Sequence, residues 1–87
     1  MFWVYILESK IDESWYIGYT DDLNERVKEH NELRGARTTR IKPGWKLIYC
    51  EGYLNKKDAL GRERFLKSGS GRRFVKKQLY NYLSMPR

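Results

Sequence analysis

Two short runs rich in β-branched and aromatic residues open the chain, FWVYILE over residues 2 to 8 and SWYIGY over 14 to 19. The polar stretch Ser9 to Glu13 between them suits a turn, so the pair reads as a β-hairpin. The apolar period then lengthens. Leu23 and Val27 mark the inward face of a helix that Thr20 or Asp21 can cap, with Asp22 and Glu25 in its first turn and Arg26 and His30 at the edge of that face. Gly35, after Leu33 and Arg34, is suited to the C-terminal cap. Residues 36 to 44 are basic, threonine-rich and punctuated by Pro43-Gly44, which indicates a loop into a third strand, WKLIYCE, over 45 to 51. Asn55 can cap a second helix that runs through DALGRERFLK to Lys67. The Ser68-Gly69-Ser70-Gly71 run breaks it, and Val75, Leu79, Tyr82 and Leu83 mark a final helix over Arg72 to Leu83. The pattern is α+β, in the order ββαβαα.

At 87 residues the chain forms a single domain, 1–87, with room for one core and burial of ~60–70% of the surface an unfolded chain exposes. Charges interrupt every apolar stretch. No run approaches the ~20 residues of a membrane span and no apolar leader follows a basic start, so the expectation is a soluble, cytoplasmic protein. Cys50 is the sole cysteine, which excludes an internal disulfide or a cysteine metal cluster. Its place in Leu47-Ile48-Tyr49-Cys50 predicts a buried strand thiol.

Charge changes the picture. The formal net charge is +7, yet residues 1 to 33 carry eight acidic and three basic side chains, whereas residues 34 to 77 carry fourteen basic and three acidic ones. A block this cationic, interspersed with Trp45, Tyr49 and Tyr53, has the makeup of a surface for phosphate backbones with aromatic groups for stacking. Within it Arg37, Arg40, Lys42, Lys67, Arg72 and Arg73 are candidate nucleic-acid contacts. Membrane-surface binding is disfavoured, because no segment pairs lysines with a strongly apolar helical face.

The chemistry concentrates at Tyr5, Tyr16, Gly18, Arg26 and His30. Phenols and an imidazole can move protons and a guanidinium can meet a phosphate. Each has a structural alternative: packing for the tyrosines, a strand bulge for Gly18, ion pairs with Asp22 or Glu29 for Arg26, and a solvated helix position for His30. Glu63 stands apart. Ala59, Leu60 and Leu66 put it on or beside an apolar helical stripe, where an ionised carboxylate needs a positive partner. That partner is either Lys67 or an arginine on the same helix, or a bound cation.

Taken in order, these residues resemble the GIY-YIG nuclease superfamily, in particular its small stand-alone bacterial-type branch. The first signature stands as Trp3-Val4-Tyr5 and the second as Tyr16-Ile17-Gly18, with ten residues between the tyrosines. Tyr19-Thr20, Leu23, Arg26 and His30 follow in register, as do Thr39-Arg40 to Pro43, Leu47-Ile48-Tyr49, Ala59-Leu60 to Glu63, and Leu66-Lys67. Trp3 and Val4 depart from the glycine and isoleucine of the first signature. The resemblance implies a three-stranded antiparallel sheet flanked by helices and divalent-metal-dependent cleavage of DNA phosphodiester bonds. It further implies that Glu63 is the carboxylate for Mg²⁺, with Mn²⁺ as a substitute, that Arg26 stabilises phosphoryl charge, and that Tyr5, helped by Tyr16 or His30, orients or deprotonates water. Recognition of DNA shape or backbone in repair or processing is the expectation, with RNA as a further substrate class. The alternative is a non-catalytic nucleic-acid-binding module on the same fold. A monomer suffices for one cut, and a homodimer would address both strands.

Overall fold

The computed structural model describes residues 1–32 and 44–86. The hairpin is formed by β1 (Phe2–Ser9) and β2 (Trp15–Thr20), followed by α1 (Leu23–Asn31), β3 (Trp45–Tyr53), α2 (Lys56–Lys67), α3 (Gly69–Gln78) and a single helical turn, α4 (Tyr80–Leu83). The expected C-terminal cap at Gly35 and the loop over 36–43 lie outside the described residues. The strands form one antiparallel sheet in the order β2-β1-β3, with β1 in the centre. This is the anticipated α+β architecture of a three-stranded antiparallel sheet with helices.

The central strand explains the run VYIL. Val4, Tyr5, Ile6 and Leu7 are all fully buried, because helices cover both faces of β1. On one face Val4 and Ile6 pack with Ala59 and Leu66 of α2 and Val75 of α3. On the other, Tyr5 and Leu7 join Trp45 under Tyr16, Leu23 and Val27. Alternation along β1 therefore assigns Tyr5 to the α1 side. Register fixes its neighbours as Gly18 in β2 and Cys50 in β3.

Several boundaries differ from the sequence expectation for physical reasons. Thr20 stays in β2, and its hydroxyl accepts a hydrogen bond from Asp22 N at 3.1 Å. Asp22 is the cap in place of Thr20 or Asp21, its carboxylate accepting from Glu25 N at 3.1 Å. Asn55 does cap α2, accepting from Lys57 N at 2.8 Å. The Ser-Gly-Ser-Gly run does end α2, at Lys67, but the next helix begins within it, at Gly69 in place of Arg72, and stops at Gln78 before the turn of α4: Ser68 caps α3 by accepting from Gly71 N at 3.1 Å. A Cβ at Gly71 would lie 2.6 Å from Leu66 Cα, so glycine is what lets α3 turn tightly off α2. Cys50 is exposed, correcting the expected buried thiol. It sits on an edge strand, beyond the Tyr5, Leu7 and Trp45 cluster that α1 covers.

Candidate active site

Tyr5 is the centre of the site. Its hydroxyl lies 2.8 Å from His30 Nε2, and both side chains are fully buried. Tyr16 closes the aromatic cluster, its ring centroid 4.9 Å from that of His30 and 6.3 Å from that of Tyr5. Trp45 meets Tyr16 edge-on at 6.5 Å. His30 is thus a core residue of α1 and not a solvated one. Asn31 helps hold that helix end, its side-chain carbonyl accepting from Trp45 N at 2.8 Å.

Gly18 gives Tyr5 the space to occupy this position. A Cβ there would lie 2.5 Å from Tyr5 Cζ and 3.0 Å from Tyr16 Cε1, and would also strike the Tyr5 hydroxyl. The strand-bulge alternative fails, because β1 and β2 pair without a register shift through Gly18 and the irregularity lies between β1 and β3 at Ile6/Leu7.

The electrostatics of the cluster follow from burial. Desolvation pushes the Tyr5 phenol up to about 12, with the charges of Tyr16 and Glu63 adding to the rise and a hydrogen bond from Arg26 opposing it. Burial, reinforced by the Arg26 charge, brings His30 down to about 4. At neutral pH the imidazole is uncharged and the phenol keeps its proton, so the two share one hydrogen bond whose direction follows the His30 tautomer. Arg26 remains about one-third exposed and also pairs with Glu29 at 3.6 Å, one of its two expected ionic partners. Glu63 is close enough for its charge to act on Tyr5, and its largely covered carboxylate is 3.2 Å from Lys67 Nζ. The helix-internal ion pair weighed for Glu63 therefore exists.

A family description, GIY-YIG catalytic domain, matches residues 1–81. The chain belongs to the GIY-YIG family. Among its relatives, UPF0213 protein YazA of Bacillus subtilis is 40% identical over 76 residues, covering 87% of this chain and 73% of the relative. UPF0213 protein CPE1444 of Clostridium perfringens is 46% identical over 67 residues, covering 77% and 71%. The solution NMR structure of UPF0213 protein BH0048 from Bacillus halodurans matches with a TM-score of 0.54 at 38% identity, covering 99% of this chain and 89% of that one.

The fold thus gathers Tyr5, Tyr16, Gly18, Arg26 and His30, while Glu63 stands on the helix that covers the other face of the sheet, near enough for its charge to act on Tyr5. Of the described basic candidates, Lys67 reaches Glu63, whereas Arg72 and Arg73 are engaged elsewhere. Arg72 stacks over Trp15 at 5.1 Å, on the Val4/Ile6 face of the sheet and so opposite Tyr5. Arg73 is exposed and donates to Ser70 Oγ at 3.2 Å, and Lys67 is the partner of Glu63. Arg37, Arg40 and Lys42 lie outside the described residues. The aromatics expected to stack on bases are committed elsewhere: Trp45 is buried, and Tyr49 and Tyr53 donate to Glu51 at 2.6 and 3.0 Å.

That last arrangement was not anticipated from sequence. Glu51 also receives Arg62 Nε at 2.8 Å and its terminal nitrogen at 3.2 Å, while the guanidinium stacks on Phe65 and Phe74. Burial raises the Glu51 carboxyl, but its hydrogen bonds from Arg62, Tyr49 and Tyr53 outweigh it and the net shift is downward. The period-two spacing of Tyr49, Glu51 and Tyr53 was the available signal, since it puts all three on one face of β3. A second unanticipated anchor is Glu8, 4% exposed, which accepts from Trp15 Nε1 at 3.0 Å and Tyr82 Oη at 2.6 Å and so ties the C-terminal helical turn to the hairpin.

Proposed function

We propose that this GIY-YIG domain is a divalent-metal-dependent endonuclease hydrolysing DNA phosphodiester bonds, directed by strand structure or backbone in DNA repair or processing. The observation that carries the reading is the 2.8 Å contact between Tyr5 Oη and His30 Nε2, for which the missing side chain of Gly18 makes room. Packing would not require a phenol, a neutral imidazole and a guanidinium to converge. The reading covers a cytoplasmic protein acting as monomer or homodimer, and RNA as a further substrate.

Among the described residues no three His, Cys, Asp or Glu side chains form a metal cluster, so the donor set does not suit an ion caged by protein. It suits a hard cation such as Mg²⁺ or Mn²⁺, which keeps its waters and needs as few as one carboxylate beside substrate phosphate. Glu63 is that carboxylate, and Lys67 would have to yield it. When bound, such an ion would supply positive charge to the phosphoryl and leaving oxygens. Arg26, partly exposed beside Tyr5, binds a phosphoryl oxygen and meets the charge that develops there. Arg26 and His30 hold the Tyr5 hydroxyl in place, so that the phenol oxygen can orient an attacking water. Burial holds the proton on Tyr5 and off His30, which disfavours full proton transfer between them in the resting site. Tyr5 therefore acts by orienting the water, its own proton held chiefly by desolvation.

The Lys67–Glu63 ion pair is the one observation that favours the alternative, a binding module that does not cleave. Incubation of the protein with linear, branched, nicked and single-stranded DNA, with Mg²⁺ and then with a chelator, separates the two readings. Cleavage that depends on the cation supports the nuclease; binding without any cleavage supports the module.

A further inference from the structure

A phosphodiester that reaches Tyr5 and Arg26 must lie along the α1 side of the sheet, so whatever else β1 and β3 present on that side meets the flanking nucleotides. One position along β1 from Tyr5 on the same face, ~7 Å away, is Trp3. Its cross-strand neighbours are Thr20 and Gly52. Both are small. A Cβ at Gly52 would lie 3.0 Å from Trp3 Cζ3 and would also strike the Met1 side chain, so the six-membered ring of the indole extends over β3 beside Gly52.

The side chains that register and contact put beside Trp3, those of Met1, Thr20 and Cys50, carry no charge. Trp3 is half-buried, Met1 is 61% exposed, and Gly52 and Cys50 are exposed beside them on β3. Together they form a small apolar shelf. It offers an aromatic face, and a flexible thioether beside it, to a nucleobase. Trp3 also differs from the other aromatics of the sheet in having no ring or hydrogen-bond partner among the described residues: Trp45 is buried, Trp15 lies under Arg72, Phe2 stacks on Tyr19, Tyr16 packs on His30 and Trp45, and Tyr49 and Tyr53 are bound to Glu51.

We propose that Trp3 is a stacking platform for a nucleobase adjacent to the cleaved phosphate, so that the site selects strands with an unpaired nucleotide at that position. A base inside a duplex already has both faces stacked, whereas one at a flap, gap or single-stranded stretch can give a face to the indole. The inference takes the location of the scissile phosphate from the nuclease reading, but its test uses no cleavage.

Binding is measured by fluorescence anisotropy in EDTA with three labelled probes: a single-stranded oligothymidylate, a blunt duplex of the same length, and an abasic strand of the same length. Trp3→Ala weakens binding of the oligothymidylate by about 5- to 100-fold, the range base–aromatic stacking supports, and changes duplex and abasic binding less than twofold. Trp3→Leu, which keeps the apolar packing, loses as much as Trp3→Ala, while Trp3→Phe keeps most of the affinity. Equal losses on all three probes, no loss on any, or full affinity in the folded leucine variant overturns the proposal. If the probe-specific loss appears in a protein that never cleaves DNA, stacking stands and the nuclease reading falls. If cleavage occurs without that loss, only stacking falls.

Discussion

Gly18→Ala adds one methyl group at the point where the site has no room for it. Carbon–carbon contacts settle at about 3.5–4.0 Å, and the new Cβ would begin 2.5 Å from Tyr5 Cζ and 3.0 Å from Tyr16 Cε1. The Tyr5 ring must retreat by about 1 Å. It has nowhere to go, being fully buried and hydrogen-bonded to an equally buried His30. Overpacking of this kind costs about 1–3 kcal/mol, and weakening the Tyr5–His30 hydrogen bond adds about 1 kcal/mol, for a loss of about 2–4 kcal/mol. In a domain of this size that lowers the midpoint of thermal unfolding by roughly 10–25 °C. A displacement of about 1 Å at a reacting group lowers the rate on the order of 100-fold. Urea or thermal denaturation reads the first effect and cleavage at a temperature where both proteins are folded reads the second. Removing the hydroxyl in a Tyr5→Phe background relieves part of the clash, so the double variant is more stable than the sum of the single changes predicts, while its activity is not restored. A Gly18→Ala protein within about 0.5 kcal/mol of the parent, or a strictly additive double variant, would refute the reasoning.

Two further perturbations probe the site and its scaffold. His30 is depressed to about 4 from an unfolded value of 6.5, so the unfolded chain binds the extra proton first: stability is full above about pH 6.5, falls as pH drops toward 4 by about 3 kcal/mol, and levels off below. Urea midpoints of the parent and His30→Gln across pH 4–7.5 check this, and an identical pH slope in both proteins contradicts it. Glu51→Gln removes the charged acceptor of Arg62, Tyr49 and Tyr53 and costs about 2 kcal/mol at pH 7. Because the Glu51 carboxyl titrates below its usual range, that difference is present above the ordinary glutamate pKa and closes as pH falls through the lowered value. Thermal melts at pH 7 and pH 3 show whether the gap closes.

Local pattern made the hairpin, α1 and α2 legible, because there the propensity of each segment agrees with its tertiary surroundings. The VYIL run could be read as a strand, and its burial on both faces follows from the central place of β1, which pairing decides. Where the sequence misled, tertiary contact overrode local preference. Glycines in the Ser68–Gly71 run have poor helix propensity, yet Gly71 is needed inside α3 because Leu66 Cα approaches so closely. Cys50 lies in an apolar run but on an edge strand, and nothing in the run states which strand is the edge. Thr20, Asp21 and Asp22 are all acceptable caps, and the choice of Asp22 depends on where the chain leaves β2. At the site, spacing indicated that Tyr5, Tyr16, Arg26 and His30 share a neighbourhood, and the Glu63–Lys67 pair was readable from its four-residue separation. The burial of His30 was not, because it depends on the Tyr5 hydroxyl arriving from another element. Tyr49 and Tyr53 carried the composition of stacking residues and turned out to serve a carboxylate.

The central claim is that Glu63 is the cation-holding carboxylate of a nuclease. The direct measurement is DNA cleavage by the parent and by Glu63→Gln over a Mg²⁺ titration, with circular dichroism and DNA binding in EDTA recorded for both. The account predicts a parent whose cleavage saturates with Mg²⁺ and vanishes with chelator, and a folded, DNA-binding variant with at least 100-fold less activity, on the order of what removal of one charged active-site group costs. A variant that cuts as well as the parent at every Mg²⁺ concentration, or a parent that cuts no DNA with either Mg²⁺ or Mn²⁺, would contradict it.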